Sequence, residues 1–466
     1  MKKLKVECTL NLLPDQVKDM HRKALECIEK IGLDVPHQGM LRILSDYKGV
    51  IIEGTRVKLK DWLVEKSIKN MSCQMGNVPD GYKIVGGCYP LNVVDLDTGR
   101  IRPATRKDLV CYTKLCDSYN VIGSACVRPT DLPPRLQEVA MYKLTWENSP
   151  IRGDNIYEVN PKSSLEVAEY VYRMAQSADK FFSLGMWIQS PFKTDPQELD
   201  IIFHFLDRGV ALWCANMPLA GATAPIFPLS AWIQSIAEIL AGYTILRLIS
   251  PDSYVYCCTY DNIRAYVFNM KDGNTYYSSP QDILGTFIHA QINRYYGMPV
   301  LAHSLNTNAQ MPDAHAASEK ASHTIMAACI GVDGFIHAGN LATDDIFSAQ
   351  QLVIDNEIVR YAVQFSQGID YDKNTQDIEK LKDVVMKNRT FLDHPTTVNN
   401  YRNLLWDSEL FEDTRFRQWQ YKGGKSVLSK ARDIANERIN RHEFCLEQSV
   451  QRELDKIYRE AIKALG

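Results

Sequence analysis

Side chains able to do chemistry recur at the ends of short apolar runs. Trp187 and Gln189 share one parity of the run that begins Phe181-Phe182-Ser183, and Tyr254, Tyr256 and Tyr260 share one parity of the run around Val255. Arg152 closes Ile151-Arg152-Gly153-Asp154, and Asn216 ends Ala211-Leu212-Trp213-Cys214-Ala215-Asn216 shortly before the small residues Ala220-Gly221-Ala222-Thr223. His303, Asn306 and Asn308 follow Pro299-Val300-Leu301-Ala302, while His337 and Asn340 follow Gly334-Phe335-Ile336. Aromatic faces attract cations at about 0.5 to 2 kcal/mol per ring. A guanidinium, or N–H groups ahead of a helix, suits a carboxylate. Each residue also has a structural use: aromatics fill cores, Arg152 can pair with Asp154, Gly221 can allow close packing, and a strand-end histidine can be a hydrogen-bonded core group.

These runs are the strand candidates that must position such groups. With Val121-Ile122-Gly123-Ser124-Ala125-Cys126 they make seven, each followed by an amphipathic stretch of helical length, and Thr390-Phe391-Leu392 is a weak eighth. Strands alternating with helices favour parallel pairing, and about eight units over about 250 residues suit a closed (β/α)8 TIM barrel better than an open sheet. No Gly-x-Gly-x-x-Gly follows the early strands, which argues against a dinucleotide fold. A barrel of this kind carries its site at the carboxyl ends of the strands, where the residues above lie.

Before the barrel, Val17, Met20, Ala24, Leu25 and Ile28 recur at helical spacing, with Pro14 in the first turn and Gly32 at the end. Val50-Ile51-Ile52, Val57-Lys58-Leu59 and Leu91-Asn92-Val93-Val94-Asp95 then read as strands. The predicted domains are an α+β extension over 1–115, the barrel over 116–395 and C-terminal helices over 396–466. Those helices include 425–441 and 448–464, assigned to barrel closure or subunit contact, so a homo-oligomer is compatible with the sequence.

The 466 residues, 45% hydrophobic and 23% charged, suffice for a large core. With 53 basic against 56 acidic side chains the net charge is -3, which gives no field for a nucleic-acid partner. No secretory leader and no 18-residue apolar run is seen, so no membrane partner is expected. The twelve cysteines lack a C-x-x-C pair and suit reduced thiols in a cytoplasmic protein. Cys257 and Cys258 are adjacent and face opposite sides of a strand, so no metal site is expected.

Five ordered stretches resemble the trimethylamine methyltransferase superfamily. They are Asn216-Met217-Pro218-Leu219-Ala220-Gly221-Ala222-Thr223-Ala224-Pro225; Gln351-Leu352-Val353-Ile354-Asp355-Asn356-Glu357-Ile358; Asp95-Leu96-Asp97-Thr98-Gly99 with Arg102-Pro103-Ala104-Thr105; Met311-Pro312-Asp313-Ala314-His315-Ala316; and Asp393-His394-Pro395 with Leu405-Trp406 and Glu409-Leu410-Phe411. The resemblance implies a (β/α)8 barrel and methyl transfer to a corrinoid protein. Founding members carry pyrrolysine, whereas every position here is a standard residue. The chain therefore resembles the branch acting on quaternary amines such as glycine betaine, proline betaine, carnitine and γ-butyrobetaine. A quaternary nitrogen leaves as a neutral amine without a protein acid.

On that resemblance the expected partners are a quaternary amine and a corrinoid-binding protein. No cofactor is expected on this chain. Asp313-Ala314-His315-Ala316-Ala317-Ser318 approaches a cobalt-ligating D-x-H-x-x-G pattern, but Ser318 stands at the glycine. Trp187, Tyr256 and Tyr260 are then candidates to cage the ammonium, with Arg152, Asn216 and Gln189 as further substrate-binding candidates. His303 and His337 are orienting groups rather than acids or bases, and Gly221, Asn306, Asn308 and Asn340 are candidates to face the corrinoid. A non-catalytic betaine-binding protein on the same barrel is the alternative.

Overall fold

Alternation along the strands sorts the side chains of this mixed α/β chain into an inner and an outer set. The computed structural model describes all residues except 1, 5, 7, 11, 70, 72–81, 88, 153–163, 259–261, 372–375 and 377. Six strands pair in parallel with one another: β1 (Lys83–Gly86), β2 (Ser183–Gln189), β3 (Ala211–Asn216), β4 (Val255–Cys257), β5 (Leu301–Ala302) and β6 (Gly334–Ala338), and β2 carries the short antiparallel strand Lys193–Thr194 on its other edge. They form two arcs. In one, β3 lies between β2 and β4, with Trp213 beside Gly185 and Tyr256. In the other, β6 lies between β5 and β1, and a parallel bridge adds Ile122 beside Val85.

Inward-facing Ala211, Trp213, Ala215 and Tyr256 of the first arc meet Val85, Leu301 and Ile336 of the second in one buried cluster. Alternate residues Leu184, Met186, Ile188, Leu212, Cys214, Val255 and Cys257 face outward into a larger core shared with the helices. The period of two thus gives each strand two apolar faces, as covered parallel sheets require.

Helices follow the strands, and polar caps set where they start. Asp195, Ser279, Asp313 and Ser348 each accept backbone N–H groups of the first turn at Pro196–Phe205, Pro280–Tyr295, α2 (Ala314–Cys329) and α3 (Ala349–Ser366). Helix α1 (Pro228–Ile249) is long and apolar enough to cross a membrane, but 83% of its most apolar window is buried in the fold. It packs against helix Pro14–Lys30, helix Asp61–Ile68 and β3, which explains why it is apolar all round.

The N-terminal helix and the hairpin Val50–Glu53/Arg56–Leu59 form where the sequence places them, and Gly32 ends the helix region at φ 72°. Helix Val427–Arg441 and helix Gln448–Leu465 also form. The latter buries Leu454, Ile457, Ala461 and Leu465 against helices Pro134–Asn148 and Leu165–Ser177.

Three expectations are corrected. The strand β1 lies inside the segment assigned to the 1–115 extension, yet pairs in parallel with β6, so that boundary cuts the parallel sheet. Thr390-Phe391-Leu392 forms no strand. The run Val121–Cys126 contributes only the bridge at Ile122, and Gly153 and Asp154 lie outside the described residues.

Candidate active site

At and beyond the carboxyl ends of β5 and β6, His303, Asn306, His337, Asn340 and Asp344 form a polar cluster that Tyr266 joins. His303 is buried and its Nε2 lies 3.3 Å from the Tyr266 hydroxyl, with the two rings edge to face at 5.4 Å. The rings of His303 and His337 are 4.9 Å apart. His337 Nδ1 lies 3.1 Å from Asp344 Oδ1. Asp344 also accepts from Asn340 Nδ2 at 2.7 Å and from Asn306 Nδ2 at 3.4 Å. Burial pushes the Asp344 carboxyl up, but His337 and the two amides outweigh it and hold the group below the usual carboxylate range.

The backbone is strained to achieve this. His337 has φ 76° where the register of β6 against β1 shifts between Ile336 and Ala338, and a bulge there turns its ring out of the strand's alternation. In the loop that follows, Ala342, Thr343 and Asp344 are left-handed at φ 51°, 56° and 73°. Such conformations cost about 1 to 3 kcal/mol each and persist only when the surroundings over-determine them.

The surroundings here are a buried ion pair. Lys320 of α2 donates to the Asn340 carbonyl and to Asp355 Oδ2 of α3, both at 2.8 Å. Asp355 in turn accepts the Gly339 N–H at 2.8 Å and Gln351 Nε2 at 2.7 Å. Neither charged side chain is exposed, and burial pulls the Lys320 pKa down and pushes that of Asp355 up. Asn340 lies where Gly87 has no side chain, since a Cβ there would sit 1.6 Å from its Oδ1. Among the described residues Asn306 Oδ1 and Asn340 Oδ1 are buried without a donor.

Trp187 faces inward at the top of β2, half-buried, with its indole edge to face against Trp213 at 5.5 Å. Trp213 lies across Gly185, where a Cβ would approach it to 2.1 Å. Gln189 is exposed and reaches Asp195 at 3.4 Å. Asn308 bridges the Thr275 carbonyl and Thr343 Oγ1, tying the strand end to the left-handed loop.

Three of the substrate candidates have their side chains engaged elsewhere, and the corrinoid-facing Gly221 is accounted for by its backbone. Tyr256 faces inward but low: it is 1% exposed, bonds Ser183 at 3.0 Å and stacks on Tyr254, so it fills the interior. Arg152 is buried, and its guanidinium donates to the carbonyls of Val121, Ile122 and Ser124. Asn216 has the outward parity of β3 and donates to Glu238 Oε2 at 2.7 Å. Gly221 stands at φ 97° and spends its N–H on the Ala224 carbonyl in a tight turn, so conformation accounts for its glycine. Tyr260 lies outside the described residues.

Sequence reasoning missed Tyr266, Asp344, the Lys320–Asp355 pair and two further buried groups. Glu238 of α1 accepts from Ser190, Phe192 N, Asn216 and Gln234, while burial pushes its carboxyl up. Arg264 pairs with Asp282 at 2.6 Å beneath the Tyr266 ring. Asp344 carried one readable signal, since it follows the strand-end His337 by a single loop.

The family model for trimethylamine methyltransferase matches residues 4–463. The glycine betaine methyltransferase of Desulfitobacterium hafniense is 24% identical over 430 residues, 88% of each chain. The trimethylamine methyltransferase of Methanosarcina barkeri is 22% identical over 492 residues, covering 98% of this chain and 96% of that one. The crystal structure of the Methanosarcina barkeri monomethylamine methyltransferase superposes with a TM-score of 0.47 at 11% identity, over 93% of this chain and 89% of that one, and is too distant to bear on the site. With a match spanning nearly every residue, the chain belongs to the trimethylamine methyltransferase family.

Proposed function

We propose that the chain is a methyltransferase that takes a methyl group from a quaternary amine and passes it to the reduced cobalt of a corrinoid held by a second protein. The family match over residues 4–463 carries this reading, and the glycine betaine methyltransferase among the relatives favours a betaine-type substrate. We further propose that the two parallel arcs are parts of one (β/α)8 barrel. Support comes from the single buried cluster to which both arcs contribute, the arrangement expected of a filled barrel interior.

The substrate then sits at the carboxyl ends of the strands. Trp187 offers an aromatic face to the ammonium, and the ionised Asp344, held between His337 and two amides, supplies negative potential without taking a proton. His303, Tyr266, Asn306 and Asn340 orient the polar end of the substrate or meet the partner. In the transfer, the carbon–nitrogen bond breaks with its electron pair left on nitrogen, while the metal contributes the pair for the new bond to carbon. The amine leaves neutral, so no general acid is required. The pocket's contribution is alignment and exclusion of water.

The test is to mix the chain with a reduced corrinoid protein and a panel of betaines, following cobalt methylation by absorbance and the demethylated amine by mass spectrometry. Both products should appear together with at least one quaternary amine. Binding of a betaine with no methylation across the panel overturns the catalytic reading.

A further inference from the structure

A cavity of about 640 Å³ opens at the amino end of β4, away from the candidate active site at the carboxyl ends of the strands. Helix Asp61–Ile68 of the N-terminal region forms one wall with Leu63 and Lys66. The end of α1 and the turn into β4 form the other, with Arg247, Asp252 and Tyr254. Buried Leu63, Leu248 and Val255 make an apolar floor. The volume and the mixed lining are those of a small-molecule site, where apolar walls carry a few polar groups.

The charge in this lining is not compensated. Nearby lysines of the N-terminal region spend theirs on carboxylates: Lys58 pairs with Glu53 at 2.6 Å, and Lys60 pairs with Glu29. Lys66 and Arg247 have no such partner among the described residues. Arg247 donates one N–H to the Ser253 carbonyl at 3.2 Å and makes no ion pair. Asp252, the one acid of the lining, pairs with neither, so one positive charge is in excess. Three aromatic rings share the cavity, those of Tyr47, Tyr243 and Tyr254. Tyr254 stacks on Tyr256 at 5.4 Å and 23°, yet is 43% exposed, so a ring fixed by the protein still offers open surface.

We infer that this cavity is a second binding site, for a small anion that carries a planar aromatic ring. A lysine on an open helix face is ordinarily just solvated. Here an ammonium and a guanidinium come from separate elements and line one concave apolar surface. A carboxylate or phosphate answers the two cations by charge-assisted hydrogen bonds, and a flat ring answers the tyrosines by stacking or edge contact. A nucleotide and an aromatic acid share that chemistry. A quaternary amine does not, because the excess positive charge repels it.

The experiment is calorimetric titration of the full chain with adenosine 5′-monophosphate and with 4-hydroxybenzoate, and with adenosine and inorganic phosphate as the separate halves. At least one ring-bearing anion should bind one to one with a Kd below about 1 mM, and the halves at least about 10-fold more weakly. Tighter binding of the nucleotide identifies a nucleotide site, and tighter binding of the benzoate an aromatic-acid site. Lys66→Gln/Arg247→Gln should weaken binding about 10-fold or more, and Tyr254→Ala about 2- to 10-fold. Lys66→Gln alone, at an exposed side chain, should act in the same direction with the fold intact by circular dichroism. Trp187→Ala, at the other end of the strands, should leave this binding unchanged. Binding of neither anion, phosphate bound as tightly as the nucleotide, full affinity in the double variant, or loss of binding in Trp187→Ala overturns the inference.

Discussion

Replacing Lys320 by Met tests whether a charge remote from the substrate sets the geometry of the site. The side chain of Lys320 is fully buried and makes two 2.8 Å bonds, one to the carbonyl of Asn340 and one to Asp355. Methionine fills the space but leaves Asp355 buried with amide donors alone. Removing one member of a buried pair costs about 3 to 5 kcal/mol. The loop it restrains holds three consecutive left-handed residues, each strained by about 1 to 3 kcal/mol, so the released strain is comparable with the loss. The loop should relax and carry Asp344 away from His337. A displacement of about 1 Å at a reacting centre costs about 100-fold in rate, which is the fall in kcat/KM expected for methyl transfer. Thermal unfolding and steady-state methylation are measured together, on Lys320→Met and on the double variant Lys320→Met/Asp355→Leu. The double variant should recover most of the stability, because an apolar pair replaces an ion pair at little cost. It should not recover activity, since the tie to Asn340 is still missing and that to Gly339 is lost as well. Wild-type kcat/KM in either variant refutes the reasoning.

Other outcomes follow from the same geometry. Burial lowers the pKa of His289 to about 3 and that of His323 to about 4, and Arg264 adds to the effect on His289. Both are neutral in the fold, whereas an unfolded histidine titrates near 6.5. The unfolded state therefore binds more protons between pH 6.5 and those values, so stability falls as pH drops through that window. Urea unfolding at pH 7, 6 and 5 should show the loss, and His289→Gln should flatten the slope by up to one proton; an unchanged slope rejects the assignment. Trp187→Ala should raise KM for a quaternary amine about 2- to 30-fold, the equivalent of about 0.5 to 2 kcal/mol, with Trp187→Phe in between. An unaltered KM removes Trp187 from the pocket. Arg152→Met should lower the unfolding temperature by stranding the carbonyls of Val121 and Ser124, at about 1 to 3 kcal/mol per unsatisfied group, while Ile122 keeps the Gly86 N–H and the preference for carboxylated over uncarboxylated amines stays as it was. Loss of that preference would return Arg152 to the substrate.

Periodicity made much of this architecture legible. The runs at Phe181, Ala211, Val255, Pro299 and Gly334 became strands, and the histidines after two of them stand ring to ring. Lys83–Gly86 went unread because a four-residue strand carries no periodic signal and no long helix follows it directly. Parity reports which face a side chain takes but not its height along the strand. Tyr256, placed by parity with Tyr254 and Tyr260, faces inward but sits in a lower layer against Ser183. For Asn216 the parity itself was available: Ala211, Trp213 and Ala215 face in, so residue 216 must face out, toward Glu238. Asp344 reaches its partners through a left-handed loop of non-glycine residues, which local preference argues against and which the Lys320–Asp355 pair imposes from outside. No local pattern signals a tertiary override of that kind.

In the proposed reaction the departing nitrogen needs no proton because it is already quaternary. Single-turnover methyl transfer to a reduced corrinoid protein should be compared for glycine betaine and for trimethylamine at saturating concentration. Cobalt methylation is expected with the quaternary amine and none above background with trimethylamine. Transfer from trimethylamine at an equal or greater rate would contradict it.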